Sequence, residues 1–351
     1  MALNARSPPR RRAALATGTL VALLVVVAAV SVGVTAAYYE LKPAPATGGA
    51  GTVTVVDDLG RTVTAPTDAG RIVALAPSLM DIVFRLGLRD RVVAVGCSPT
   101  LEGGIYNEYS PNQTALWGLS NASCLADFPS LNTEGVANDS PDLVLASTLT
   151  SQAAVDQLTV TYHLPVVLLA PSTIGGILGD VRIVSALFPA SATSSTALEA
   201  QLEGILASAA ALDQNLSSAN ASNPTVLLAY YFDAGGYYTY GAGSFGASLL
   251  DVAGGANLAA GVPLLYAEIN ATVVLNDQPA ILIYGTSWND PHLVSGQTPD
   301  VWPTAPYWGS LTAQKIPIEV TLLTEPGPSM ILELPTLEHW LHPDVVPAPG
   351  S

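Results

Sequence analysis

The chain has 351 residues, of which 49% are hydrophobic and 11% charged, and its formal net charge is −16. Only two of its twelve Lys and Arg residues, Arg182 and Lys315, lie beyond Arg91. The length is enough for two domains of ordinary size, and the scarcity of cations excludes nucleic-acid binding, which needs a basic face.

Residues 1–50 predict a membrane anchor followed by a flexible tether. Four arginines precede the segment 13–37, which carries no charge over 25 residues. At about 1.5 Å rise per residue, a helix of that length spans a bilayer, and the arginines should stay cytoplasmic with the rest of the chain outside. A secretory signal cleaved near Ala36 or Ala37 is the alternative, although such signals have shorter apolar regions. Residues 42–51 are rich in Pro, Ala, Thr and Gly and form the predicted tether.

Residues 51–171 predict an N-terminal α/β lobe. It opens with a hairpin over 52–65 that turns at 58–60. The apolar run 72–76 predicts a strand buried on both faces, and Ser78 is the expected N-cap of a helix that ends at Gly87. A second strand is expected at 92–95, and after an irregular stretch at 97–130 further strands are expected at 142–146 and 165–169, with helices at 131–137 and 151–162. Strands that alternate with helices predict parallel pairing.

Residues 172–222 predict a connecting helix at 172–188 and a second helix at 195–215, and residues 223–351 predict a second α/β lobe. The second lobe has expected strands at 225–230, 280–284 and 315–320, the last an edge strand because it contains Pro317. Its expected helices are at 244–253, 270–276 and 329–341.

The candidate ligand-binding residues follow predicted strands, because ligands of open α/β sheets bind beyond the carboxyl ends of the strands. Most are aromatic, which suits a large ligand. The alternatives are that the tyrosines belong to the core or to a hairpin and that the tryptophans pack beneath loops. The candidates are Ser78, Tyr106, Trp117, Tyr231, Tyr237, Tyr240, Phe245 and Trp288.

The two cysteines and six glycosylation sequons indicate an extracytoplasmic chain. We expect a disulfide between Cys97 and Cys124, with two free buried thiols as the alternative. The sequons begin at Asn112, Asn121, Asn138, Asn215, Asn220 and Asn270. The four histidines show no metal-ligand spacing, and no catalytic serine motif occurs. We therefore expect neither a resident metal or cofactor nor an enzymatic activity.

Four motifs in this order resemble the substrate-binding proteins of ABC importers for iron complexes, haem and cobalamin. They are residues 56–63 with 71–78, 132–134 with 141–146, 253–258, and 326–328 with 341–344. None is specific alone, but together they run along most of the chain. The resemblance implies two Rossmann-like α/β lobes joined by one long rigid helix, here 172–188. It also implies a ligand in the cleft between the lobes and small opening motions.

The resemblance further implies that Glu134 docks on arginines of the permease subunits in the membrane. The matching position of the second lobe is Thr272, beside the sequon at Asn270, and Glu268 is the nearby substitute. This departure leaves a second function open, a membrane-tethered sensor or surface protein that reuses the module without transport. A two-lobed metal-cluster enzyme is a third alternative, and two cysteines are too few for it.

Charge narrows the expected ligand class. The loops expected at the cleft hold no Arg or Lys, and an anion in a dry cleft needs paired cations. The expected ligand is therefore a neutral or cationic metal chelate, either a corrinoid or a neutral ferric-siderophore complex. This expectation fails if Arg85, Arg89, Arg182 or Lys315 reaches the cleft.

Overall fold

The computed structural model describes residues 46–47, 51–97, 119, 122–126, 130–148, 150–219, 222–286, 301–319 and 326–349. Residues 45–351 group into one compact unit. The predicted membrane segment 13–37 lies outside the described residues. Within the described part of the chain no single helix is long and apolar enough to cross a membrane, although the pair 174–187 and 189–218, bent by 113°, passes that test when taken together.

The described part of the chain opens with the expected hairpin. Strands β2 (Thr52–Val56) and β3 (Thr62–Pro66) pair antiparallel, and β1 (Ala46–Thr47) extends them. At the turn, the buried Asp57 carboxylate accepts hydrogen bonds from the backbone N–H groups of Leu59 and Arg61 and pairs with the Arg61 guanidinium. This carboxylate therefore fixes the turn that the sequence predicted.

The first sheet is entirely parallel, with strand order β6-β5-β4-β7-β8. Its strands are β4 (Ile72–Ala74), β5 (Val92–Cys97), β6 (Ser123–Ala126), β7 (Leu143–Ala146) and β8 (Val166–Leu168). Its helices are α1 (Pro77–Arg85), α2 (Thr133–Asn138) and α3 (Gln152–Asp156), the last continued by a π-helical turn over Gln157–Thr161. The strand–helix–strand unit over 71–96 is confirmed, whereas β6 was expected to be irregular.

The expected N-cap at Ser78 is wrong. Helix α1 begins one residue earlier, at Pro77, with Ala76 at the N-cap position and no side-chain cap. Proline suits the first helical position because its φ is already helical and its missing N–H would have no partner there. The expected end is confirmed, since Gly87 has a φ of +76° just beyond the helix.

The second sheet is mixed, with strand order β12-β10-β9-β13-β14 and a short β11 beside β9. Its strands are β9 (Thr225–Phe232), β10 (Gly236–Tyr240), β11 (Ala256–Asn257), β12 (Tyr266–Asn270), β13 (Ile281–Thr286) and β14 (Gln314–Glu319). Its helices are α6 (Phe245–Val252) and α7 (Ala271–Asp277). Strands β10 and β12, which were not predicted, are antiparallel, and β14 with Pro317 lies at the edge as expected.

Two helices connect the sheets in sequence, α4 (Ile174–Leu187) and α5 (Ala192–Ser218). The buried side of α4 belongs to one hydrophobic core with residues of both sheets, among them Ile72 and Leu228. At its start, the Ile174 N–H donates to Ser248 Oγ on α6 over 3.1 Å. At its end, the Leu187 carbonyl accepts from the Asp68 N–H over 2.9 Å. Helix α4 therefore contacts both halves of the protein, and the long helix that links them is α5, so the connection expected at 172–188 alone is made by both helices.

The expected C-terminal helix over 329–341 is two helices, α8 (Pro328–Leu332) and α9 (Leu334–Leu341). The break falls at Glu333, immediately before the first turn that contains Pro335. Proline has no N–H for the preceding turn, and its ring clashes with the carbonyl four residues earlier. Proline therefore divides what hydrophobic periodicity alone predicts as one helix.

Candidate functional site

A cavity of about 270 Å³ lies where segments from the two sheets meet. From the first sheet it is lined by Ser78 after β4, by Ser147 and Thr148 after β7, and by residues 169–172 after β8. These segments follow the carboxyl ends of parallel strands, where ligands of α/β sheets bind. From the second sheet it is lined by residues 243–245 and by Leu265 and Tyr266, with Pro326 completing the wall.

Two of the predicted ligand-binding residues, Ser78 and Phe245, line this cavity. The Phe245 ring is 6% exposed and contacts the Tyr240 ring, with 5.0 Å between centroids. Tyr266 is 51% exposed at the cavity edge, and the sequence analysis missed it. The alternation of apolar Ala267 and Ile269 with polar Glu268 and Asn270 is a strand signal that could have found it.

Tyr237 and Tyr240 do not line the cavity, which corrects their expected role. The Tyr237 side chain is fully buried, and its hydroxyl donates to the Pro306 carbonyl over 2.7 Å. This burial raises the pKa of Tyr237 to about 12. Tyr240 is also fully buried, and it lies behind Phe245 and Tyr266 with ring centroids 5.0 and 5.8 Å away. For these two tyrosines, the alternative of core and hairpin aromatics is correct.

Tyr231 lies at the exposed end of the β9–β10 hairpin and is not among the residues that line the cavity. Its ring contacts that of Tyr238 at 5.2 Å between centroids. The Tyr238 hydroxyl donates to the Asp233 carboxylate over 3.0 Å, which raises the pKa of Tyr238 and helps to lower that of Asp233. The candidates Tyr106, Trp117 and Trp288 lie outside the described residues, so their predicted contacts remain predictions.

No basic side chain lines the cavity among the described residues. All seven Lys and Arg residues after position 51 lie in described segments, and each has a partner elsewhere. The pairs are Arg61 with Asp57, Arg71 with the Asp139 carbonyl, Arg85 with Asp81, Arg89 over Phe84, Arg91 with the Asp68 carbonyl, Arg182 with Glu203, and Lys315 with the Leu311 carbonyl. The four cations that could have overturned the charge argument therefore do not reach this cavity.

The polar character of the cavity comes from hydroxyl groups. Five serine and threonine residues line it, Ser78, Ser147, Thr148, Ser172 and Ser244, and Tyr266 carries a sixth hydroxyl. Together with the Phe245 and Tyr266 rings, they make an uncharged wall that is part aromatic and part hydroxylic. Such a wall can bury flat apolar surface and exchange hydrogen bonds with neutral amide or hydroxyl groups.

The comparison with protein-family models matches residues 72–315 to the periplasmic binding protein family. The chain belongs to this family. A relative within reach of sequence comparison is the cobalamin-binding protein of Halobacterium salinarum, which is 25% identical over 237 residues. The match covers 67% of this chain and 59% of the length of that relative.

Solved structures of other periplasmic binding proteins share the fold. The molybdate-binding MolA of Haemophilus influenzae has a TM-score of 0.65 at 20% identity, covering 83% of this chain and 91% of its own. An Fe³⁺-hydroxamate transport protein of Saccharomonospora viridis has a TM-score of 0.60 at 20% identity, and the match covers 82% of this chain and 98% of that protein. The vitamin B12-binding BtuF of Vibrio cholerae has a TM-score of 0.57 at 19% identity, and the match covers 79% of this chain and 98% of BtuF. Since these folds serve different ligands, the fold alone does not name the ligand of this periplasmic binding protein.

The two candidate docking glutamates are both exposed. Glu134 lies in the first turn of α2, which Asn132 caps by accepting from the Gly135 N–H. Glu268 lies on the edge strand β12, and Thr272 occupies the first turn of α7. Their exposure makes both glutamates accessible, and their docking role remains a prediction.

Cys124 in β6 is disulfide-bonded, and none of the described cysteines is free. Strand β6 pairs with β5, which ends at Cys97, the other cysteine of the chain. The side chain of Cys97 lies outside the described residues, so the pairing itself remains a prediction. Of the sequon asparagines, Asn138, Asn215 and Asn270 are exposed, whereas Asn112, Asn121 and Asn220 lie outside the described residues.

Two of the described histidines, His339 and His342, take structural positions, whereas His163 is exposed. His342 is buried, with its Nε2 3.0 Å from the Gly254 carbonyl, and the Nδ1 of His339 lies 2.7 Å from the Val346 carbonyl. Within the described ranges, no group of three or more His, Cys, Asp or Glu side chains could hold a metal ion.

Proposed function

We propose that this chain is the solute-binding receptor of an ABC importer and that it binds a bulky, uncharged metal chelate between its two sheets. The ligand classes are a corrinoid or a neutral ferric-siderophore complex. We also propose that residues 13–37 tether the receptor to the cell membrane, with the binding domain outside the cell. The observation that carries the ligand class is the cavity wall of hydroxyl groups and aromatic rings without a Lys or Arg.

The charge argument favours these ligands over anions of similar size. A carboxylate or oxyanion loses its hydration on entering a cavity, and without a cation nearby that loss costs several kcal/mol or more (~5). Every cation of the binding domain is engaged elsewhere, so haem propionates and molybdate would have no partner in the described wall. The cobalamin-binding relative from Halobacterium salinarum agrees with a neutral ligand.

The size of the cavity also has a consequence for a bulky ligand. A corrinoid is larger than the cavity of about 270 Å³, so only part of it could lie inside. The remainder would lie over the apolar surface beside the opening, where Leu264, Leu265 and Tyr266 are 58%, 56% and 51% exposed. Large apolar side chains that are exposed together commonly mark a binding surface.

Calorimetric titration of the full-length chain tests the ligand class. Cyanocobalamin and ferrichrome serve as neutral probes, and haemin and molybdate as anionic ones. We expect binding by one of the neutral probes and none by the anions. Tyr266→Ala should weaken that binding by ~10-fold, because it removes an exposed aromatic face from the cavity. Tyr307→Ala is the matched control, since Tyr307 is 47% exposed and does not line the cavity. Tight haemin or molybdate binding would contradict the proposal.

A second candidate function, sensing without transport, is favoured by one local observation. The exposed Asn270 opens a sequon two residues before Thr272, where the resemblance leads us to expect a docking glutamate. A glycan at that position would obstruct docking on a permease. Deletion of the gene in the source organism separates the two functions. Uptake of the radiolabelled ligand should be lost if the chain feeds an importer through Glu134 and Glu268, and unchanged if it acts as a sensor.

A further inference from the structure

Helices α4 and α5 are not the only connection between the two halves of the protein. Helix α8 also contacts α1 of the first half, through Ser329 and Asp81, which are 248 residues apart in the chain. The Ser329 N–H donates to Asp81 Oδ2 over 2.6 Å, and Arg85 Nη2 donates to Ser329 Oγ over 2.7 Å. Arg85 Nε also donates to Asp81 Oδ1 over 2.7 Å, so the three residues form a closed set of hydrogen bonds.

Helix α8 is in turn attached to the second half. It is followed directly by α9, whose last residue Leu341 lies 3.1 Å from the position of a Cβ added at Gly255. His342, at the end of α9, contacts the Gly254 carbonyl. Through these contacts, the hydrogen bonds between Asp81 and Ser329 connect the second sheet to the first.

Both partners of this contact lie close in sequence to residues that line the cavity. Asp81 follows the cavity-lining Ser78 by three residues, and Ser329 follows the cavity-lining Pro326 by three residues. Gly327 packs directly on the start of α1, because a Cβ there would lie 3.2 Å from the Ser78 Cα and 3.0 Å from Asp81 Oδ2. The wall formed by Ser78 and Pro326 is therefore held together by the same segments that carry the hydrogen bonds.

We propose that Asp81, Arg85 and Ser329 form a clasp that limits how far the two halves separate on the Ser78–Pro326 side of the cavity. A protein joined through α4 and α5 alone could open on this side, whereas a further attachment restricts the motion between its halves. The Asp81 side chain is 21% exposed and that of Arg85 34%, so the bonds are partly shielded from water. Hydrogen bonds to charged groups are stronger than neutral ones.

Distance measurement by double electron–electron resonance on the full-length chain tests the clasp without any ligand. Spin labels attached through Ala153→Cys in α3 and Asn276→Cys in α7 report on the two halves, since both positions are exposed. Asp81→Ala removes the acceptor of two of the three bonds. We expect it to broaden the distance distribution toward longer distances and to speed hydrogen exchange of the Met330 and Ile331 amides by ~10-fold. Asp81→Asn, which keeps the shape and one acceptor oxygen, should give an intermediate result and remains informative if the alanine variant folds poorly.

Glu203→Gln is the matched control, because it breaks a partly exposed pair with Arg182 between α4 and α5. It should leave the distance distribution as in the wild type. Exchange of the β7 amides over 143–146 should be unchanged in all variants, which separates release of the clasp from general loosening. An unchanged distribution in Asp81→Ala overturns the proposal, as does equal broadening in Glu203→Gln or faster exchange in β7. None of these results depends on the ligand class, so failure of the clasp and failure of the proposed function are distinguishable.

Discussion

The buried carboxyl group of Glu338 should make the stability of this protein fall as the pH rises from about 4.5 to about 7. Glu338 lies in α9 and is 6% exposed, and its Oε1 has no hydrogen-bond partner among the described residues. Burial without a cation disfavours the charged form and raises the pKa of Glu338 from its ordinary value of 4.5 to about 7. Glu338→Gln removes the ionisable group and keeps its shape.

The direction of the effect follows from proton binding. Between pH 4.5 and 7 the folded state holds a proton on Glu338 that the unfolded state releases, so folding is favoured by acid in this window. Below that window both states are protonated, and above it the folded state contains a buried charge. A difference of about 2.5 pKa units corresponds to roughly 3 kcal/mol at most. We therefore expect the wild type to lose about 2–3 kcal/mol relative to Glu338→Gln between pH 4.5 and pH 8.

Urea unfolding of both proteins at several pH values measures this difference, since contributions of other titrating groups cancel when the two free energies are subtracted. Glu333→Gln is the control, because Glu333 is exposed and its removal should give a difference that is flat with pH. If the difference between the wild type and Glu338→Gln is also flat, Glu338 does not carry a raised pKa, and the reasoning from burial is refuted.

Three further perturbations test the core and the crosslink. Tyr237→Phe removes the hydrogen bond to Pro306 and should lower the free energy of unfolding by about 1 kcal/mol, while titration should show unchanged ligand affinity; a weakened affinity would restore Tyr237 to the binding site. Gly254→Ala should lower the melting temperature by several degrees (~5), because Gly254 has a φ of +76° and an added Cβ would lie 2.6 Å from His342 Nε2; calorimetry measures this, and an unchanged value contradicts it. Reduction of the disulfide at Cys124 should cost about 2–4 kcal/mol in chemical unfolding, and no loss would show that the bond constrains little.

The parallel strands were predictable because they are buried on both faces. Strand β7 (Leu143–Ala146), which is buried on both faces, appears in the sequence as an uninterrupted apolar run. Strands β10 and β12 were not predicted. The sequence of β10, Gly236–Tyr240, combines glycine with tyrosine, and such a segment can equally form a loop that lines a binding site. Strand β10 pairs antiparallel with both β9 and β12, and its pairing with β12 joins segments that are distant in sequence, such as Tyr237 and Ile269.

The candidate site was predictable where chain order alone decides position. Ser78 lies in the first turn of α1, which follows the short β4, so it had to lie near the carboxyl end of the first sheet, and the cavity is there. Which tyrosines line the cavity was harder to predict, because successive residues of a strand point to opposite faces of the sheet. The sequence analysis therefore assigned Tyr237 and Tyr240 to the cavity and missed Tyr266, which lines it.

The sequence by itself determined that the binding domain has few cations, since composition does not change on folding, and this limits which ligands an enclosed site can neutralise. The tertiary structure alone decided which aromatic rings line the cavity. Strand β10 lies between β9 and β12, whereas β12 is an edge strand, so Tyr240 is fully buried and its cross-strand partner Tyr266, on the same face of the sheet, stays half exposed at the cavity edge. Register is set by pairing with neighbouring strands, and a shift of one residue would reverse every side chain.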